Sequence, residues 1–304
     1  MKPKRHYWEP FHCLAIYTLS LGLRLQAAEL DTNQIQQVLG STGTWNPAEQ
    51  VFKVTLPRKD VKITVDGWTM PPFMGLGSWA AFTQPQANDC MVMGDTVLFQ
   101  DEVNAAMSVA LDNGLAVTAL HNHFFFDDPK VYFMHISGSG DAGKLAAAVK
   151  KVWDKVSEIR AANPKPASGF GLASLPVTNA ITGGTIEAIL GVKGQANNGM
   201  FKVVIGRTTR MPCGCEMTKD MGVNTWAALA GADDNALVDG DFAVLESELQ
   251  PVLKSLRHSD INIVAIHSHM TGDNPRILFL HYWGRGKTTD LAHALRSALD
   301  LTGK

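Results

Sequence analysis

The chain repeats itself, and the repeat constrains every fold it can adopt. Ala119-Leu120-His121-Asn122-His123-Phe124-Phe125-Phe126-Asp127-Asp128-Pro129 returns as Ala265-Ile266-His267-Ser268-His269-Met270-Thr271-Gly272-Asp273-Asn274-Pro275, an offset of 267 − 121 = 146. At the same offset His135 meets His281, Gly138 meets Gly284 and Gly140 meets Gly286. In a chain of 304 residues this spacing means two similar units rather than a many-unit solenoid.

The order of elements is the same in each unit. Leu30 to Leu39 has helical apolar spacing and stops at Gly40. Val51 to Arg58 alternates as a strand does, and shorter strands follow at 61–65, 77–82 and 91–95. A helix over 102–112 ends at Asn113-Gly114, a strand over 115–123 delivers the His pair, another covers 130–137, and a long helix runs over 141–160. Asn163-Pro164-Lys165-Pro166-Ala167-Ser168-Gly169 breaks both periodicities and is the candidate linker. The second unit then repeats the plan: Ile186–Leu190, Met200–Ile205, Trp226-Ala227-Ala228, a helix over 246–257, strands over 261–269 and 276–283, and a helix over 288–301. The expected fold is α+β: two similar repeats over 29–163 and 164–304, each a mainly antiparallel sheet with about two packed helices.

Residues 1–28 differ in kind. Lys2, Lys4, Arg5 and His6 form a basic head, and 11–23 is an apolar run too short and interrupted to span a bilayer. Gln26-Ala27-Ala28 then supplies the small residues of a cleavage site near Ala27 or Ala28. This is the pattern of a secretory signal peptide, so a periplasmic or secreted protein without a transmembrane segment is expected. Cys13, inside the apolar run after Phe11-His12, is in a poor context for lipid attachment. A formal net charge of −2, with no long Lys/Arg run after the leader, argues against a nucleic-acid partner.

Ten histidines are present; His6 and His12 lie in the leader, and six of the other eight form three matched pairs. On a strand, residues two apart share a face, so His121 and His123 project together. If 121 lay opposite 135, all three rings would share that face, whereas a slip by one residue would separate them. Three imidazoles with an open fourth position suit a divalent transition metal: zinc, copper or iron. The metal candidates are therefore His121, His123 and His135 with His267, His269 and His281. Asp127 and Asp273 are candidate fourth ligands, partners that orient an imidazole, or turn-formers. Arg276 and Arg285 are candidates to hold an acidic substrate; their counterparts Lys130 and Ser139 make the first copy less cationic. Glu102 and Glu248 suit helix starts, and Asp95 and Asp241, each after a glycine, read as turn residues. Cys213-Gly214-Cys215 has no counterpart in the first unit; a soft-metal site, a short-loop disulfide and two ordinary thiols all remain open for it.

Thr55-Leu56-Pro57-Arg58-Lys59-Asp60, Leu120-His121-Asn122-His123 and Phe279-Leu280-His281-Tyr282-Trp283-Gly284 together make the chain similar to the LppY/LpqO family of exported bacterial proteins. The resemblance implies an exported, duplicated protein and carries over no reaction and no catalytic residues. Three functions therefore stand: a metalloenzyme acting on a small substrate, a non-enzymatic metal- or ligand-binding protein, and a structural envelope protein whose histidines form buried hydrogen-bond networks.

Overall fold

The computed structural model describes residues 30–86 and 89–303. The expected signal peptide with its cleavage site near Ala27 or Ala28, and Cys13, lie outside the described residues.

Each repeat contributes six strands to the main sheet. In the first these are β1 (Gly43–Asn46), β2 (Val51–Pro57), β3 (Gly77–Gln86), β4 (Asp89–Phe99), β5 (Ala116–His121) and β6 (Val131–Gly140). In the second they are β7 (Gly194–Asn197), β8 (Met200–Gly206), β9 (Asn224–Ala232), β10 (Asn235–Leu245), β11 (Asn262–His267) and β12 (Ile277–Gly286). Three helices accompany each set: α1 (Thr32–Leu39), α2 (Gln100–Asp112) and α3 (Ala142–Ala162), then α4 (Gly183–Leu190), α5 (Leu249–His258) and α6 (Thr288–Leu299). The lead-in helices α1 and α4 raise the expected two helices per repeat to three. Each of these two ends at a glycine in the left-handed region, Gly40 at φ 65° and Gly191 at φ 69°, where other residues are disfavoured.

The α+β class is as expected, but the two sheets are one. The strands form a single twelve-stranded sheet in the order β1-β2-β3-β4-β6-β5-β11-β12-β10-β9-β8-β7, a palindrome about the β5–β11 junction. Each neighbouring pair is antiparallel. At the junction Leu120 pairs with Ile266, and both side chains enter the same buried cluster. The helices of both repeats cover one face of this sheet and share that cluster.

Both junction strands are bulged, β5 between Val117 and Ala119 and β11 between Ile263 and Ala265. A bulge leaves backbone groups off the ladder, and here side-chain amides from the opposite repeat take them up. Gln250 accepts from the Val117 N–H at 2.9 Å and donates to its carbonyl at 2.8 Å. Asn104 does the same to Ile263, at 2.7 and 3.3 Å. The two residues are themselves a repeat pair, 250 − 104 = 146. Gln250→Ala is expected to cost about 1–3 kcal/mol in urea unfolding, since it strands a donor and an acceptor at once. A loss below about 0.5 kcal/mol would mean that water replaces the amide there.

On the other face each repeat has a small satellite core. Ile63, Met70, Leu76, Val97, Phe99, Val131 and Phe133 form the first, and Val223, Ala243, Ile277 and Phe279 the second. Over the first lies a three-stranded sheet of 64–65, 68–69 and 127–128, so the strand expected over 61–65 is reduced to its last two residues. β4, conversely, extends well past Asp95 to Phe99, because Thr96 to Phe99 continue the ladder with β6. Among the described residues no helix is long and apolar enough to cross a membrane.

Candidate functional site

The face opposite the six α-helices carries the histidines. Leu120 points into the core at 0 % exposure, so its neighbours Ala119 and His121 point the other way. His121 lies opposite Phe133, and His135 opposite Ala119. This differs from the anticipated 121–135 pairing by two residues, and a two-residue shift preserves the face. The three rings are neighbours: the His121 and His123 centroids are 5.1 Å apart, as are those of His121 and His135. His123 lies flat on Phe133, with centroids 3.4 Å apart, and so borders the satellite core.

The second repeat reproduces this closely. His267 lies 5.1 Å from His269 and 4.9 Å from His281, and His269 stacks on Phe279 at 3.5 Å. The rings lie face to face in both copies. Among the described residues no group of three or more His, Cys, Asp or Glu side chains is arranged to hold a metal ion as it stands. Bringing three ring nitrogens onto one point requires the imidazoles to turn about their side-chain torsions.

The structure adds a fourth side chain to each group. Asp95 pairs directly with His135 across β4 and β6, and Asp241 with His281 across β10 and β12. These aspartates are not turn residues. Each is in the middle of a long strand, 6 % and 3 % exposed respectively. Asp241 Oδ2 lies 3.9 Å from His269 Nε2. In each carboxylate Oδ1 is buried without a hydrogen-bond partner. The offset could have found them, since 241 − 95 = 146.

Burying a carboxylate oxygen without a partner disfavours its charged form. Burial pushes the Asp95 carboxyl up, against the pull of His135 and His121. Burial likewise pushes Asp241 up to about 6, opposed by His281 and reinforced by Asp239. Burial first, and neighbouring histidines second, hold His123, His267 and His269 below the ordinary imidazole value. At neutral pH these rings are therefore neutral, with lone pairs free to donate. Metal ligation needs that state.

The remaining sequence candidates lie elsewhere. Asp127 Oδ2 accepts from the Val131 N–H at 2.6 Å, and Asp273 Oδ2 from the Ile277 N–H at 2.8 Å. Both thus serve the turns that begin β6 and β12, each containing a cis proline, Pro129 and Pro275. Arg285 is on the same strand face as His281 but four residues on, and it donates to the Ala173 carbonyl and to Asn235 Oδ1, so it ties down the segment between α3 and α4. Arg276 is exposed just ahead of β12. His258 pairs with Asp112 at 2.8 Å on the helical side.

A family model described as a Domain of Unknown Function (DUF1259) matches residues 33–155 and, a second time, 184–301. No curated protein and no solved structure matches the chain.

Proposed function

Because the chain belongs to the DUF1259 domain family and carries two copies of its domain, we propose one function for both copies: binding a divalent transition metal, as an exported protein. In the first repeat His121, His123, His135 and Asp95 would hold the ion, and in the second His267, His269, His281 and Asp241. Zinc, copper and iron all suit three imidazoles and a carboxylate. The observation that carries this reading is the orphaned Oδ1 of Asp95 and Asp241, buried in the same face as three imidazoles in both copies. A metal ion would give each oxygen the partner it lacks.

Bound there, such an ion supplies a Lewis acid and lowers the pKa of coordinated water. The protein residues would do the rest. His123 and His269 are the exposed members, so a small molecule could approach from their side. The deeper Asp95 and Asp241 would fix ring orientation from the neighbouring strand. Export rests on the leader, and the motifs around Pro57, His121 and His281 support a kinship with the LppY/LpqO proteins.

A second reading is favoured by the ring stacking. His123 on Phe133 and His269 on Phe279 could serve only to close the satellite cores. Elemental analysis of the chain purified without chelator separates the two. The metal reading expects close to one ion per repeat, and His121→Ala with His123→Ala should remove the first repeat's share alone. Metal at about a hundredfold over its Kd should add about 2.7 kcal/mol to stability, lost on chelation. No stoichiometric metal, with unfolding indifferent to chelator, returns the histidines to a packing role.

A further inference from the structure

Cys213-Gly214-Cys215 lies at the tip of a hairpin that the first repeat builds without cysteine. Thr209–Arg210 pairs with Glu216–Met217, and the tip is closed by Gly214 N–H to the Met211 carbonyl at 2.8 Å and Met211 N–H to the Cys215 carbonyl at 3.0 Å. Gly214 sits at φ 82°, a conformation that folds the two flanking cysteines toward each other. Their sulfurs are 2.6 Å apart, and both residues are exposed. The corresponding hairpin of the first repeat, 64–69, has Asp66-Gly67 at its tip.

The tip is not isolated. Arg210 exchanges two backbone hydrogen bonds with Asn274, at 3.1 and 2.9 Å. Pro212 presses on Gly272, where a Cβ would lie 3.2 Å from its Cγ. Asn274 and Gly272 belong to the loop that leaves His269. The dithiol is thus clamped to the segment that carries the second histidine group.

We propose that Cys213 and Cys215 are a reversible dithiol–disulfide pair that exchanges with small-molecule or protein disulfides, a redox element of the second repeat alone. In the forward direction the Cys213 thiolate attacks one sulfur of an incoming disulfide, and the other sulfur leaves as a thiol with a proton. Cys215 then attacks the Cys213 sulfur, releasing the second thiol. The chain loses two electrons and two protons, and the incoming disulfide gains them. The roles follow from the surroundings. The Cys215 thiol and backbone N–H both reach Cys213 Sγ, the latter at 3.4 Å, which lowers the Cys213 pKa and raises that of Cys215. Cys213 is therefore the attacking sulfur and Cys215 the resolving one. The third cysteine among the described residues is a built-in control: Cys90 is buried among apolar side chains, and burial pushes its thiol up to about 11.

The test uses the full chain, equilibrated with oxidised or reduced glutathione, acid-quenched, unfolded and alkylated. Trypsin releases residues 211–219 as one peptide carrying both cysteines. After oxidised glutathione that peptide should be lighter by two hydrogens and free of glutathione, with alkylation at both positions reduced about tenfold or more and restored by dithiothreitol. Cys213→Ser and Cys215→Ser, both at exposed positions, should instead each retain one glutathione. The proposal is overturned if the wild-type peptide stays alkylable at both cysteines, or if it carries glutathione at each independently. Copper(I) bound stoichiometrically by the two thiols, with no internal disulfide under oxidised glutathione, overturns it as well.

Discussion

Glu102→Gln should lower the unfolding free energy by about 3–5 kcal/mol, enough to leave much of the chain unfolded at 37 °C. Glu102 has 0 % exposure, and its carboxylate sits between two guanidinium groups. Arg58 donates to both of its oxygens, at 2.7 and 2.6 Å, and the Phe99 N–H adds a third bond at 2.8 Å. Arg160 Nε lies 2.6 Å from Oε1 in an ion-pair contact without hydrogen-bond alignment, and Arg160 also pairs with Asp101. Arg58 is 7 % exposed and Arg160 6 %, so neither can find water when the carboxylate goes. Glutamine keeps the shape and removes the charge, which isolates the electrostatic share. Glu248 offers an internal comparison. Among the described residues Arg207 is its one ion-pair partner, and the N–H of Gly303 donates to Oε1, the oxygen that corresponds to the one Arg160 meets on Glu102. Glu248→Gln should cost less, about 1–3 kcal/mol. Urea unfolding of both variants checks the order. Equal losses, or a Glu102→Gln loss under about 1 kcal/mol, would show that Arg58 and Arg160 relax to solvent.

How far these features could be read in advance follows from the reach of each interaction. The duplication, the strand that delivers His121, and the shared face of His135 depend on local period and on parity; the strands expected to reach His123 and His269 end at His121 and His267. Parity survived even though the pairing was His121 with Phe133 rather than with His135. The single sheet was not legible: β5 and β11 are apolar strands that look alike whether they end a sheet or cross a junction. The partners of the junction bulges were hidden for the same reason, since Gln250 meets Val117 133 residues away in sequence. Asp95 and Asp241 were missed because Gly-Asp is also a turn signal. Here the glycine instead makes room for a neighbour. At Gly240 a Cβ would lie 2.2 Å from the Tyr282 hydroxyl, which crosses that position to reach the Trp226 carbonyl. The aspartate that follows is carried along the strand and pointed at the histidines.

Those aspartates give the sharpest separation between a site and a scaffold. In the metal-free protein Asp241→Asn should raise stability at pH 7.5 while weakening metal binding. The sign follows from the carboxyl's rise from the ordinary 3.8 to about 6 in the fold. Below pH 3.8 the group is protonated in both folded and unfolded chains and makes no difference. Between the two values the unfolded chain has lost a proton that the folded one keeps, so stability falls as pH rises; above about 6 the loss is complete. The full difference corresponds to about 3 kcal/mol, and relaxation of the site should leave a gain of about 1–3 kcal/mol for asparagine. At pH 4 the gain should nearly vanish. Asp95→Asn should move in the same direction, as burial raises that carboxyl too. Metal affinity at the substituted repeat should fall about 10–100-fold, the range for losing a group that orients or supplements the ligands. A residue kept for the fold would behave in the opposite way, with Asn destabilising the stripped protein. Urea unfolding of chelator-treated wild type and variant at the two pH values, beside a metal titration, reads both effects. A carboxyl raised by burial in both copies, at the same place beside the same three rings, is the arrangement that the proposed metal site calls for.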